Sequence, residues 1–493
     1  MKVATCAAAA AAIALVLCRS AWCHASGDDL LYTQVQFIGT DQSQHQAPPP
    51  ATIDLFNQPM YQAVFANQSA NFPQSLLFSH LSISGQLNAG VRGFEFDAHD
   101  DSKVGQYAYS AYLKLAGQPS LISPDLLKPG LKVFSTPDYD FGSSCYLFKD
   151  CLQEIANYSA SNPGHFPITI VIHKGYVEDA QSFLGQPLYT QALTQLQASN
   201  TPPMNFTAGK TANLTDVQNE ILSVFDRSQL YTPDDLRAAN NASADAGLRD
   251  VVFPGGSGSW PTIGDLRDMI IFIADPDYLT IAQAQFPNSM NTLLWQSDDQ
   301  GDLDSDVVIV DAYVDVLLTN TTAGPPYGLI NNSAQLTNAA AWGTQNMVLQ
   351  GFFVRAGADT SPTEASFGYT YRRDTVATIG GPQFIATLYE AEPVALLNSN
   401  YSTSPSTVPG FNGAEAICNP VTTGELINMG NAEFAADGAL PQDGAVTIIQ
   451  EPPPCPIPEG FSPGKYATPQ DQPGALAPAP APAAEQPSAA SGT

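Results

Sequence analysis

Basic residues are scarce in this chain: 18 Lys and Arg stand against 47 Asp and Glu, a formal net charge of −29. That balance argues against nucleic acid as a partner and against docking to anionic membranes by charge alone, both of which need basic patches. Solubility in a secretory or saline setting accounts for most of the charge. Cysteine is sparse as well. Of seven, Cys6, Cys18 and Cys23 fall in the first 25 residues, which leaves Cys145, Cys151, Cys418 and Cys455. No Cys-x-x-Cys spacing occurs, so a cysteine-built zinc site is not expected. The even remainder suits disulfides formed in an oxidising compartment. Three connectivities are open in principle, but pairing Cys145 with Cys151 closes a short local loop and leaves Cys418 with Cys455. Long apolar runs are missing from the interior, which rules against a membrane span there. No hydrophobic tail follows the Ala/Pro-rich end, so a glycolipid anchor is not indicated.

The one long apolar run opens the chain. Met1-Lys2 leads into an alanine-rich stretch through Leu17, and Cys23-His24-Ala25 offers small residues for cleavage, so residues 1–25 read as a secretory signal peptide. Asn67, Asn157, Asn205, Asn213, Asn241, Asn320, Asn331 and Asn400 each begin an Asn-x-Ser/Thr triplet, which suits a glycosylated extracellular surface. At 493 residues the chain is long enough for one α/β barrel with insertions. Ala47 to Asn71 and Asn240 to Ser259 have loop compositions, and the first of them could cover a barrel mouth as a lid. Residues 422–474 read as a Pro-rich extension carrying the second disulfide, and residues 475–493 as a disordered Ala/Pro tail.

Between these segments β and α signals alternate. Strands are predicted over Tyr32 to Ile38, Phe94 to Asp97, Leu131 to Phe134 and Ile168 to Ile172, then Met269 to Ala274, Gly351 to Arg355 and Phe384 to Leu388. Such alternation implies a parallel sheet closed as a barrel, with ligands taken at the carboxyl ends of the strands. The segment Gly90-Val-Arg-Gly-Phe-Glu-Phe-Asp-Ala-His-Asp-Asp101 ends one of these strands in acids and a histidine. Side chains two apart share a strand face, so Glu95, Asp97 and His99 would project together while Phe94 and Phe96 pack behind. Such a cluster could hold a hard cation. The plainer reading is a solvated acidic strand end with Arg92 as a local partner.

The motifs around this cluster keep a recognisable order. Gln36-Phe-Ile-Gly-Thr-Asp-Gln-Ser-Gln-His-Gln-Ala-Pro48 lies upstream, with Lys132-Val-Phe-Ser-Thr-Pro-Asp-Tyr-Asp-Phe-Gly-Ser-Ser-Cys145 and Pro163-Gly-His-Phe-Pro-Ile-Thr-Ile-Val-Ile-His-Lys174 downstream. Ser223 to Arg237, Trp260 to Arg267, Gly351 to Asp359 and Cys418-Asn-Pro-Val421 continue the series. Together they resemble the secreted, calcium-dependent phosphoinositide phospholipase C-like family of the phospholipase C-like phosphodiesterase superfamily. The resemblance implies a TIM-type (β/α) barrel over residues 26–421, a phosphoric diester hydrolase with a phosphoinositide-type substrate, and Ca2+ held by Gln42, Glu95 and Asp97. It also implies a mechanism in which one histidine takes the proton of the inositol 2-hydroxyl while another group protonates the leaving oxygen.

The chain departs from that pattern where the chemistry is done. At the positions of the family's two catalytic histidines it has Asp41, in Gly39-Thr-Asp-Gln-Ser43, and Ser135, in Phe134-Ser-Thr-Pro-Asp138. Gln42 stands where the family has a metal-binding asparagine, and His173 ends a strand that usually ends in a metal-binding glutamate. Histidine holds and releases a proton near neutrality; aspartate is a weaker base and serine is none. Each lost acid or base costs ~10²- to 10⁴-fold, so catalysis is expected to be weakened or lost. His45, His99 and His173 are candidate replacements, and with Glu95 and Asp97 they could build a nitrogen-and-oxygen site for another divalent metal. His80 and His165 look less useful, the latter as a turn residue. Arg92 and Arg355 could contact phosphate or pair with nearby carboxylates. The functions left open are a phosphodiesterase, a noncatalytic extracellular binding protein on the same barrel, and a rewired metal-dependent hydrolase.

Overall fold

The computed structural model describes residues 27–65, 73, 76–175, 180–198, 204–253, 256–299, 308–312, 344, 345, 347–359, 380–387, 416–419 and 422. Among them are ten strands: β1 (Val35–Thr40), β2 (Gly93–His99), β3 (Lys132–Val133), β4 (Ile168–Lys174), β5 (Ile270–Ala274), β6 (Leu294–Asp298), β7 (Ile309–Ala312), β8 (Phe353–Asp359), β9 (Phe384–Thr387) and β10 (Ile417–Cys418). Eight of these pair in parallel around a closed ring in the order β1, β2, β4, β5, β6, β7, β8, β9, with β9 returning to β1. Helices such as Phe148–Ser161, Leu214–Leu222 and Leu279–Gln285 connect them, so the expected TIM-type α/β barrel is present.

Alternation along each strand creates two cores. Phe94, Phe96, Ile170, Ile172, Phe272, Val354 and Ile385 face outward onto Phe148, Leu152, Ile155, Val217 and Ile221 of the helices. Phe94 and Phe96 thus pack behind the acidic face, as their spacing predicts. The opposite parity supplies Phe37, Val171, Ile271, Ile273, Trp295, Ile309, Phe353 and Phe384 to the second cluster. Continued toward the carboxyl ends, this same face turns polar: Val171 is followed by His173, Ile273 by Asp275 and Phe353 by Arg355. The barrel floor is apolar and the mouth is ionic.

Closure between β1 and β2 depends on two glycines. Gly39 opposes Gly93, and a Cβ on either would lie 1.9 or 2.5 Å from the Phe384 ring. Phe384 fills the space these residues leave, tilted against Phe37 at 5.5 Å between centroids.

Several expectations need correction. The predicted third barrel strand is the two-residue β3, antiparallel to β2 and outside the ring. β6 and β7 were not predicted; Leu-Trp-Gln-Ser-Asp alternates too weakly, and β7 is only four residues long. The first predicted loop instead carries two short helices, Pro50–Phe56 and Pro59–Phe65. Pro50 suits the first helical turn, and Phe56 packs edge-on against Tyr112 and Tyr139. Within the second, Leu248–Val252 is helical and buries Leu248 and Val251. Cys145 and Cys151 form the expected disulfide, with Cα atoms 5.4 Å apart. The signal segment, the Cys418–Cys455 pairing, the Pro-rich extension and the tail lie outside the described residues or side chains. Among the described residues no helix is long and apolar enough to cross a membrane.

Candidate active site at the barrel mouth

Five ring strands send charged side chains into the mouth or its rim. Asp41 follows β1, Glu95 and Asp97 lie on β2, His173 on β4, Asp275 follows β5, and Arg355 lies on β8. Glu95, Asp97, His173, Asp275 and Arg355 are buried, and the Asp41 side chain is largely so at 15% exposed. The loop after β1 is folded onto β2 by reciprocal bonds: the Ser43 N–H donates to the Glu95 carbonyl at 2.9 Å and the Glu95 N–H to Ser43 Oγ at 2.8 Å. Gln42 takes a left-handed conformation (φ 48°) in that turn. Its Oε1 accepts from Ser135 Oγ at 3.0 Å. The two substituted loops therefore meet at Gln42 and Ser135.

Arg355 donates to Asp41 Oδ1 at 3.0 Å and to Glu95 Oε2 in a shorter contact. Its guanidinium lies over the Phe384 ring, 5.4 Å from the centroid, so the same phenylalanine that fills the Gly39–Gly93 gap supports the arginine from below. Asp97 is enclosed: Oδ1 accepts from His173 Nδ1 at 2.7 Å and Oδ2 from Gln44 Nε2 at 2.8 Å. His173 Nε2 lies 3.4 Å from Asp275 Oδ2, so the imidazole is held between two carboxylates.

Burial and charge set the proton balance. Burial, reinforced by Glu95, raises Asp41 well above the usual carboxylate range, with Arg355 pulling the other way. Glu95 is raised by burial and lowered by Arg355 and His173, with a net upward shift. For His173 burial disfavours the charge, yet the bond to Asp97 and the charges of Asp97, Asp275 and Glu95 win, and its pKa rises well above the ordinary value. An imidazolium clamped in this way is a proton holder and not a ready base.

The structure gathers Asp41, Gln42, Glu95, Asp97, Ser135, His173 and Arg355 near one mouth. It does not gather the others. His99, on the face of Glu95 and Asp97, turns Nε2 to the carbonyls of Phe134 and Ser135 at 2.9 and 3.2 Å, stacks on Phe134, and is lowered by burial to about 4. Its Nδ1 is buried without a hydrogen-bond partner among the described residues. His45 bonds the Phe78 carbonyl and Asp140 and stacks on Phe78 at 3.8 Å, so a site built from three histidines is not formed. Arg92 precedes β2, at the end of the strand opposite the mouth. It donates to the carbonyls of Leu87 and Val91 and to Tyr158 Oη, so the expected position near the acids is corrected. His80 reaches the Asp41 carbonyl at 2.8 Å, and His165 bonds Ser159 Oγ and the Phe166 carbonyl in its turn. Sequence reasoning missed Asp275 and Gln44. The signal for Asp275 was available in Ile270-Ile-Phe-Ile-Ala-Asp275, an apolar run that ends in an acid.

Glu95, Asp97 and His173 offer one ligand atom each within 4.8 Å of one another, a spacing that a divalent ion could span. As arranged, the group does not fit calcium. Calcium takes six to eight oxygens, and here one of three donors is an imidazole whose Nδ1 is already bonded to Asp97. Both Asp97 oxygens accept protein hydrogen bonds, and Glu95 is shared with a permanently charged guanidinium. Unit charges about 4 Å apart interact by ~4 kcal/mol at an effective dielectric near 20, so a divalent ion on Glu95 would meet substantial repulsion from Arg355.

A family model described as phosphoinositide phospholipase C, Ca2+-dependent, matches residues 30–420. Among solved structures, several of a calcium-dependent phosphoinositol-specific phospholipase C from Pseudomonas sp. are similar. One, described as a myoinositol complex, is 13% identical, covers 73% of this chain and 91% of that chain, and has a TM-score of 0.39. Another, an apo form, is 13% identical, covers 80% and 96%, and has a TM-score of 0.40. A Ca2+-dependent phosphatidylinositol-specific phospholipase C from Streptomyces antibioticus is 13% identical over 73% of this chain and 95% of that chain, with a TM-score of 0.37. No curated protein matches the chain by sequence.

Proposed function

The chain belongs to the Ca2+-dependent phosphoinositide phospholipase C family, and from that premise we propose that it is a secreted member which receives a phosphoinositide-type phosphodiester at the barrel mouth and turns it over weakly or not at all. In this reading residues 1–25 are a secretory signal, 26–421 the barrel domain, 422–474 a Pro-rich extension and 475–493 a tail.

The observation that carries the reading is the placement of Asp41 against Arg355. The resemblance puts a proton-accepting histidine there. Asp41 is instead bonded to Arg355 at 3.0 Å, and its burial beside Glu95 favours the neutral carboxyl. An acid held by a guanidinium and shifted toward its neutral form is a poorer acceptor for the inositol 2-hydroxyl proton than a free imidazole. Ser135, at the second position, has no basic lone pair near neutral pH and spends its proton on Gln42. His173 is the nearest imidazole in the cluster, and its proton is held by Asp97. Arg355 and His173 are the donors a phosphate oxygen would have to share with the acids they hold. That combination favours binding over turnover.

The test uses the secreted, glycosylated protein on phosphatidylinositol vesicles, with soluble inositol phosphate as a binding probe. Saturable binding of the probe is expected, with inositol phosphate release at least ~10⁴-fold below an active family member at equal concentration. Robust release that disappears in Glu95→Ala would overturn the proposal.

A further inference from the structure

We infer that Arg355 and His173 occupy the mouth acids as resident protein donors, and that this member of the family holds no calcium there. The inference deepens the reading of the same site given above and rests on it for the site's location.

Each acid in the cluster has a protein donor against it. Arg355 joins Asp41 Oδ1 and Glu95 Oε2, His173 occupies Asp97 Oδ1 and faces Asp275, and Gln44 occupies Asp97 Oδ2. A guanidinium stays protonated throughout the range in which proteins fold, so it cannot vacate the site by losing its charge. It is also held in place mechanically. Arg355 is 2% exposed, rests on Phe384 and projects from a strand paired on both sides. Calcium would have to share Glu95 with that cation or expel it from a packed position. It would also gain too few oxygens, since His173 enters the carboxylate set as a donor of hydrogen bonds and not as an oxygen ligand.

The measurement is a calcium titration of the full secreted protein by calorimetry, with thermal unfolding in EDTA and in about 10 mM CaCl2, a concentration above the usual dissociation constants of extracellular calcium modules. Wild type is expected to show no saturable site and the same Tm in both conditions. Arg355→Gln, which leaves the acids without their guanidinium, is expected to acquire calcium binding at least ~10-fold tighter than any seen in wild type, with a Tm that rises in calcium and falls back in EDTA. Stoichiometric calcium binding to wild type that Glu95→Gln removes would overturn the inference, and so would a folded Arg355→Gln with no gain. A zinc site in wild type that depends on His173 would overturn it equally. Should Arg355→Gln fail to fold, the wild-type titration decides alone.

Inositol phosphate release in EDTA is followed on the same samples. Calcium binding without turnover would sink this inference and leave the proposed function standing. Robust turnover in EDTA would do the reverse.

Discussion

Arg355 on β8 and Glu95 on β2 share a charge-assisted hydrogen bond across the barrel mouth, although 260 residues separate them in sequence. Both are about nine-tenths buried or more, so neither charge can be removed alone without leaving its partner stranded in a site of low dielectric. Arg355→Met is therefore expected to destabilise the fold by about 3–5 kcal/mol. The double variant with Glu95→Gln should lose less than the sum of the two singles, by about 1–3 kcal/mol of coupling. Urea unfolding of the four proteins in EDTA measures the coupling. Additive losses would mean that the two side chains act independently.

The acidic strand end was legible because it sits in one short segment, where a period of two predicts which side chains share a face. Arg355 could be named as a candidate, but its partners could not be chosen, since they come from strands far away in the chain. The histidines illustrate the limit. His99 has the right parity for the metal cluster, yet a hydrogen bond to the Phe134 carbonyl at 2.9 Å and stacking on that ring turn it away. His173 is a candidate from its strand end and from the resemblance, which puts a metal-binding glutamate there, and the register between β2 and β4, which sets Asp97 opposite His173, makes it the central imidazole. Arg92 looked equivalent to a mouth residue on charge, but it precedes its strand, and polarity along a barrel strand decides which end it serves. The missed strands β6 and β7 are short and poorly patterned, and their neighbours in the ring define them more than their own residues do.

Gly39 and Phe384 form a size-matched pair at the seam where the barrel closes. A Cβ at position 39 would fall 1.9 Å from Phe384 Cε2, far inside contact distance. Gly39→Ala is expected to cost about 1–3 kcal/mol through overpacking. Phe384→Leu should recover part of that loss, because the smaller side chain vacates the space. Equilibrium unfolding of both variants and the combination checks this; no rescue in the double variant would show that the glycine serves some other purpose.

The Cys145–Cys151 bridge closes a loop with a sequence separation of 6 at the start of the helix Phe148–Ser161. Loop-closure entropy for so short a segment gives about 2 kcal/mol, and the bridge ties the loop before the helix to the helix itself, whose Phe148 packs edge-on against Phe96 of β2. Replacing both cysteines with alanine should lower stability by about 2 kcal/mol while leaving inositol phosphate binding within about twofold. A large loss of binding with little loss of stability would mean that the loop positions the mouth directly.

Asp138, in the same segment as Ser135, provides a separate pH signature. Its Oδ1 accepts from the Ala111 N–H at 2.8 Å and its Oδ2 from the Thr207 N–H at 2.6 Å, but burial outweighs these bonds and raises its pKa to about 7. A carboxyl whose folded pKa lies above its unfolded value binds more protons when folded. Its contribution is therefore fully present below about pH 4 and is lost as the pH rises through 7. The span from 3.8 to about 7 corresponds to about 4 kcal/mol at most. Asp138→Asn cannot titrate, so the stability of wild type relative to this variant should fall steadily between pH 4 and pH 8. The comparison cancels every other titrating group common to both proteins, including the many surface acids. Urea unfolding at several pH values gives the difference directly, and a difference that stays flat across that range would mean the two backbone N–H groups keep Asp138 ionised in spite of its burial.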